Sequence, residues 1–165
     1  MPYFMLTGLL LTIYSKKSLR SLLSIRFQST YCLFIGLLGQ FILNYLPSLP
    51  HHFTELGTLF FFLLTLIFLI HNLKIPGFFL IAVGASLNFL EIIINHGAMP
   101  ILSSVFHHSL DNYKNIGNRH NILAHPHLEI LADRFYIAPF FMSIGDMIVG
   151  CGLILFIYGN ARKVH

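Results

Sequence analysis

Tryptophan is absent from these 165 residues, and charge is scarce: ten Lys and Arg with six Asp and Glu make up only 10% of the chain. So little ionic surface will not solvate a globule of this size, which excludes an ordinary soluble domain. Cysteine is nearly absent too. Cys32 and Cys151 form no cluster, which removes a disulfide scaffold and a cysteine-ligated zinc centre, and both read as small buried core residues. No GxGxxG or P-loop glycine pattern, no GxSxG nucleophile elbow and no solenoid period occurs, so dinucleotide, nucleoside triphosphate and serine-hydrolase chemistries lose their usual signatures. An intramembrane enzyme stays as a third reading, behind the two function classes given below. No Lys or Arg precedes Tyr3, so the basic start of a secretory signal is lacking.

What is present is hydrocarbon. Hydrophobic residues make up 56% of the chain and the mean hydropathy is +0.75. Apolar stretches run approximately from Tyr3 to Tyr14, Thr30 to Leu46, Gly57 to Leu73, Ile75 to Ile94 and Pro139 to Tyr158. Roughly 17 to 25 residues cross the hydrocarbon core of a bilayer, so the last four qualify and the first is short. The expected architecture is an all-α integral membrane bundle of about five spans in one domain covering 1–165, with an outer loop at about 97–138. Placing the N-terminus outside sends Lys16, Lys17, Arg20, Arg26, Lys74, Arg162 and Lys163 to the cytoplasmic side, seven of the ten basic residues, as the positive-inside rule requires. The expected location is a cell membrane crossed several times. The net charge of +4 then needs only anionic lipid as its partner and no nucleic acid.

Two segments outside the spans carry helical spacing. Leu19, Leu22, Leu23 and Phe27 alternate with Lys16, Lys17, Arg20 and Ser24 as in a surface-lying amphipathic helix, and Leu128, Leu131 and Phe135 predict a second short helix over Leu128 to Phe135. The phenylalanines at Phe60 to Phe62 and Phe78 to Phe79 read as lipid-facing.

Polar residues inside the apolar runs are the most specific signal. A charge at bilayer depth costs at least a few kcal/mol, so such a residue is paired inside the bundle or belongs to a site. Gly84, Asn88, Glu91 and Asn95 are spaced by four, three and four residues and share one helical stripe, while Ser143, Asp146 and Gly150 make a comparable stripe on the last span and Gly145 and Gly152 offer small residues on another face. The two helices are expected to pack together, with Asp146 met by Asn88, Asn95 or Ser143, and Glu91 met by His96. An alternative ties the acids to Arg134 or Arg119 of the outer loop. Histidine clusters on the outer side, and His107, His108, His125 and His127 keep a divalent metal open as an alternative, although their spacing matches no HExxH pattern; no cofactor is otherwise expected.

The segments LNFLEIIINHGAMPI (Leu87 to Ile101), LADRFYIAP (Leu131 to Pro139) and MSIGDMIVGCG (Met142 to Gly152) together resemble the uncharacterised bacterial membrane proteins of domain of unknown function 5317. Asn95, Gly97, Met99 and Pro100 match that family's outer turn, Ser143, Ile144, Gly145 and Asp146 match the start of its last helix, and Asp133 and Pro139 match the element between. His96 stands where the family has the first of two glycines, so this position need not take a conformation reserved for glycine. The resemblance implies a fold and a topology without an activity. It also focuses the site: Asn95, Asp133, Ser143 and Asp146 are expected in one hydrogen-bonded cluster beneath the loop, with Asn88, Glu91 and Arg134 completing the candidate set.

Two function classes follow. One is an accessory or scaffold protein that packs against another membrane protein or a second copy of itself. The other is a minimal proton- or metal-responsive transporter or sensor that uses the intramembrane acids and the outer histidines.

Overall fold

The computed structural model describes residues 1–45, 50–106 and 120–163. Among them the chain is mostly helical, with seven helices: α1 (Pro2–Tyr14), a 3-10 helix (Leu19–Ser24), α2 (Thr30–Tyr45), α3 (His51–His71), α4 (Phe78–Ile94), the single turn α5 (Ser103–Phe106) and α6 (Ile144–Asn160). By length and composition one of them, over His52–His71, is able to cross a membrane, and α1, α2, α4 and α6 are shorter apolar helices. Only 22% of the His52–His71 span is buried, so most of this apolar surface faces outward.

The helices form a row. α4 and α6 make the most extensive contact, α1 lies on the far side of α6, α3 lies on the other side of α4, and α2 packs on α3. Small residues set the spacing of the central pair. A Cβ at Gly84 would sit 2.8 Å from Val149 N and overlap the Gly145 carbonyl, and one at Gly152 would sit 2.8 Å from Ile81 N. Backbones therefore approach closely, and the helices gain dispersion contacts along the glycine faces. Gly145 and Gly152 are the residues that meet α4. Gly150 instead meets the Phe4 ring of α1, so the polar stripe of α6 splits between two neighbours.

The basic end closes on an aromatic core. Phe27, Phe68, Phe78 and Phe156 join in ring pairs with centroids 5.4 to 6.3 Å apart, each contributing about 0.5–1.5 kcal/mol beyond area burial. Buried Asn72 staples the end of α3 to the chain entering α2, donating to the carbonyls of Gln28 and Phe68 at 2.9 and 2.7 Å and accepting from Gln28 N at 2.9 Å. Lys17 donates to the Tyr158 carbonyl at 3.0 Å with its Nζ 3.6 Å from that ring's centroid, and β1 (Lys17–Ser18) pairs antiparallel with β6 (Arg162–Lys163).

At the opposite end short strands build a cap that the all-α expectation did not contain. β2 (Met99–Leu102) is wholly buried and pairs in parallel with β3 (His120–Leu123), and β4 (Phe135–Ile137) forms a hairpin with β5 (Phe140–Met142) across a cis Ala138–Pro139 bond. Asp133 joins the two pairs through its backbone, donating to the Pro100 carbonyl at 2.9 Å and accepting from Leu102 N at 3.1 Å.

This pairing overturns the helix expected over Leu128 to Phe135. Leu128 takes a left-handed φ of 54°, the chain continues through turns, and Phe135 enters β4. Backbone demand from the edge of β2 outweighs a local apolar period. The expected surface helix at Leu19 is likewise a 3-10 segment ending at Ser24, and Phe27 leaves it for the aromatic core. Phe78 is buried and Phe62 stacks on Phe89, so only Phe60 and Phe79 of the two phenylalanine runs are largely exposed. Cys151 is exposed, because α6 turns Gly145 and Gly152 toward α4 and Gly150 toward α1, leaving position 151 on the free face. The last helix starts after Ser143, and Pro139 belongs to the hairpin turn.

Candidate functional site

The C-terminal end of α4 and the N-terminal end of α6 meet beneath the cap, and their polar side chains fall into two hydrogen-bonded groups. In the first, Asn88 Nδ2 donates to Asp146 Oδ1 at 2.9 Å and Ser143 Oγ donates to Asn88 Oδ1 at 2.9 Å. Ser143 and Asp146 also form a capping box: Asp146 N donates to Ser143 Oγ at 3.0 Å and Ser143 N to Asp146 Oδ2 at 3.3 Å. Two backbone donors left open by the start of α6 are thereby satisfied. The sequence motif Ser143-Ile144-Gly145-Asp146 thus acts as a helix start whose acid is turned toward α4.

In the second group, Asn95 Nδ2 reaches Glu91 Oε1 at 3.0 Å and the His127 carbonyl at 3.1 Å, while His127 N donates to Asn95 Oδ1 at 3.2 Å. Asn95 therefore clamps the cap onto α4. Glu91 is fully buried, and its Oε2 has no hydrogen-bond partner among the described residues. The expected pairing of Glu91 with His96 does not form: His96 Nδ1 lies 3.6 Å from Glu55 Oε1. The expected single cluster is also divided, because Asn95 belongs with Glu91 whereas Ser143 and Asp146 belong with Asn88.

Asp133, only 2% exposed, is within electrostatic reach of both groups. Burial, reinforced by the charges of Asp146 and Glu91, pushes its carboxyl up to about 7. Arg134 is half-buried and donates its backbone N to the Met142 carbonyl at 3.2 Å; among the described residues it forms no ion pair with the acids. Arg119, His107 and His108 lie outside the described residues. His125 and His127 are exposed, and no group of three or more His, Cys, Asp or Glu able to hold a metal occurs among the described residues.

A cavity of about 490 Å³ opens under this corner. Asn88, Asp133 and Asp146 line its cap end, Gln40, Thr58 and Thr65 add polar groups from α2 and α3, and Leu33, Leu69 and Ile81 lead toward the aromatic core. Its volume is that of a small-molecule site, apolar with a few convergent polar groups. Asp146 and Asp133 were singled out from sequence. Gln40, Thr58 and Thr65 were not, although each is a polar residue within an otherwise apolar helix.

The turn after α4 explains the other family motif. Asn95 closes the helix, and Gly97 N returns to the Ile92 carbonyl at 2.8 Å in a Schellman arrangement. Gly97 has φ 83°, and a Cβ there would sit 2.7 Å from Glu55 Cα. His96 takes φ 55°, so the position does adopt the left-handed conformation, contrary to the expectation drawn from its not being glycine.

Residues 24–158 match the family of unknown function DUF5317. The chain belongs to that family. The matched stretch contains α2 through α5, α6 up to Tyr158, the cap and every residue of both hydrogen-bonded groups, in agreement with the resemblance carried by the Asn95 turn and the Ser143 helix start. No curated protein and no solved structure matches the chain. What this DUF5317 protein does must therefore be argued from its site.

Proposed function

We propose that this DUF5317 protein is a multi-pass protein of the bacterial inner membrane whose cap-side cavity binds a small solute, in the manner of a proton-responsive sensor or a minimal transport unit. Membrane placement draws support from the largely unburied apolar α3, from exposed Phe34, Leu38 and Phe41 on α2, and from basic residues gathered at the ends opposite the cap. The five apolar helices are the proposed spans, with the N-terminus outside and the C-terminus cytoplasmic. Helices of 13 to 21 residues suit a thinned or tilted arrangement.

The cavity carries the solute reading. Two acids line a space of about 490 Å³ that is otherwise mostly apolar. A contact whose only task was to fix helix register would gain nothing from such a void, since empty volume forfeits dispersion contacts. A carboxyl titrating near neutrality at its rim would couple occupancy to protons. The metal-responsive form of this reading rests on histidines that gather no three-ligand set among the described residues.

An accessory role is the second reading, and one observation favours it. α2 makes its extensive contact with α3 alone and leaves Tyr31, Phe34, Leu38 and Phe41 on its outer face. Gentle purification from native membranes separates the two. Solute binding predicts a small molecule retained in stoichiometric amount by the wild type and lost from Ala85→Phe, which fills the cavity. A stoichiometric membrane-protein partner retained by both, with no small molecule, would defeat the solute reading.

A further inference from the structure

We infer that the cavity takes an organic cation with an apolar body, its ammonium group facing Asp133 and Asp146 and its hydrocarbon lying against Leu33, Leu69 and Ile81. The inference rests on the solute-binding reading and names the class of solute.

Charge complementarity is the first argument. The cavity wall includes two carboxyl side chains and no Lys, Arg or His side chain; the one cation among its lining residues is the Met1 α-ammonium, within electrostatic reach of Asp146, and with Glu91 a third acid within reach of Asp133 the acids outnumber it. Acids held together away from water repel one another and lose hydration, and a cation between them offsets both costs. The second argument is the gradient along the cavity. Polar groups crowd the cap end, whereas the other end merges with the cluster containing Leu69 and Phe78, so a ligand polar at one end only fits along its length.

Unused hydrogen-bonding capacity supplies the third. Thr58 is 3% exposed and lines the cavity, adding a hydroxyl to its wall. Asp146 accepts one bond on each oxygen from Asn88 and Ser143, and a carboxylate accommodates about four. Asn88 donates one bond to Asp146 and accepts one from Ser143, and acts as a positioning residue that turns Asp146 toward the space.

Other occupants fit less well. A hard metal ion wants six or more oxygens in one shell, and no three-ligand group exists among the described residues. A phosphate-bearing headgroup would set a new negative charge beside the acids. A neutral amphiphile would leave their repulsion unrelieved.

The test uses the full chain in neutral maltoside micelles and isothermal titration with octyltrimethylammonium, octanol and octyl sulfate. The inference expects saturable binding of one octyltrimethylammonium per chain, at least tenfold tighter than either comparison compound. Asp133→Asn should weaken it tenfold or more, Thr58→Val two- to tenfold, and Ala85→Phe should abolish it, with folding of each variant checked by circular dichroism. Competition by added phosphatidylethanolamine but not phosphatidylglycerol would support the cation site and assign its ammonium to lipid. If all three compounds bind alike and Ala85→Phe removes them all, the cation inference fails while the solute-binding cavity stands. Absence of binding, or binding indifferent to Ala85→Phe, would overturn both.

Discussion

Replacing Asp133 by Asn should flatten the pH dependence of the protein's stability. The carboxyl is 2% exposed, is pushed by burial and by Asp146 and Glu91 up to about 7, and starts from an ordinary value of 3.8. An acid whose folded pKa lies above its unfolded one binds more protons in the folded state across that interval. Its contribution is therefore fully present below about pH 4 and is lost as pH rises through 7. Three units correspond to roughly 4 kcal/mol at 1.36 kcal/mol per unit, an upper bound because backbone relaxation and water entry soften the cost. For a chain of this size about 1 kcal/mol moves the unfolding midpoint by ~2–4 °C. Thermal unfolding in detergent, followed by circular dichroism from pH 5 to 8, should show the wild type losing several degrees. Asp133→Asn removes the charge and keeps the shape, so its midpoint should vary less over this range than that of the wild type, whatever its absolute height. A variant as pH-sensitive as the wild type would refute the reasoning, since the slope would then originate elsewhere.

Two further substitutions probe the geometry that holds the site. Gly145→Ala places a Cβ over Asn88 Oδ1, 2.7 Å from Asn88 Cγ and 2.8 Å from the Gly84 carbonyl, so it should cost about 1–3 kcal/mol in unfolding experiments. Combining it with Asn88→Ala should cost less than the two losses added, because one clash is removed; strict additivity would show that Asn88 is not what the methyl meets. His96→Gly should leave stability level or raise it by up to about 1 kcal/mol, because glycine carries no penalty at φ 55°. His96→Val should lower it by about 1 kcal/mol or more, and a valine variant as stable as the wild type would contradict the left-handed assignment.

Apolar periodicity and charge asymmetry made the helical framework legible, since a run without charges reads the same wherever it packs. The motif residues around Asn95 and Ser143 also announced themselves, because a capping box and a Schellman turn are local devices written within a few neighbouring positions. His96 was misread for a related reason: the turn's hydrogen bond from Gly97 to Ile92 dictates the backbone there, and side-chain identity only sets the cost.

Other features needed the tertiary structure. The cap's strands could not be read from Leu128 to Phe135, because their partners lie at Pro100, Leu102 and Met142 and local spacing contains no record of a distant edge. Which face of α6 meets α4 was settled by backbone approach at Gly84 and Gly145, which sent Gly150 to α1 and Cys151 outward. The partition of the acids followed from the same contact: Asn88 captured Asp146, Asn95 kept Glu91, and Asp133 came to the cavity's rim through a backbone bridge to β2 invisible to any one-dimensional pattern. By itself the sequence determined which segments shun water and where the Asn95 turn and the Ser143 cap fall, because those depend on neighbours along the chain. Only the tertiary structure decided which polar groups share a cavity, because that depends on how closely two backbones pack across it.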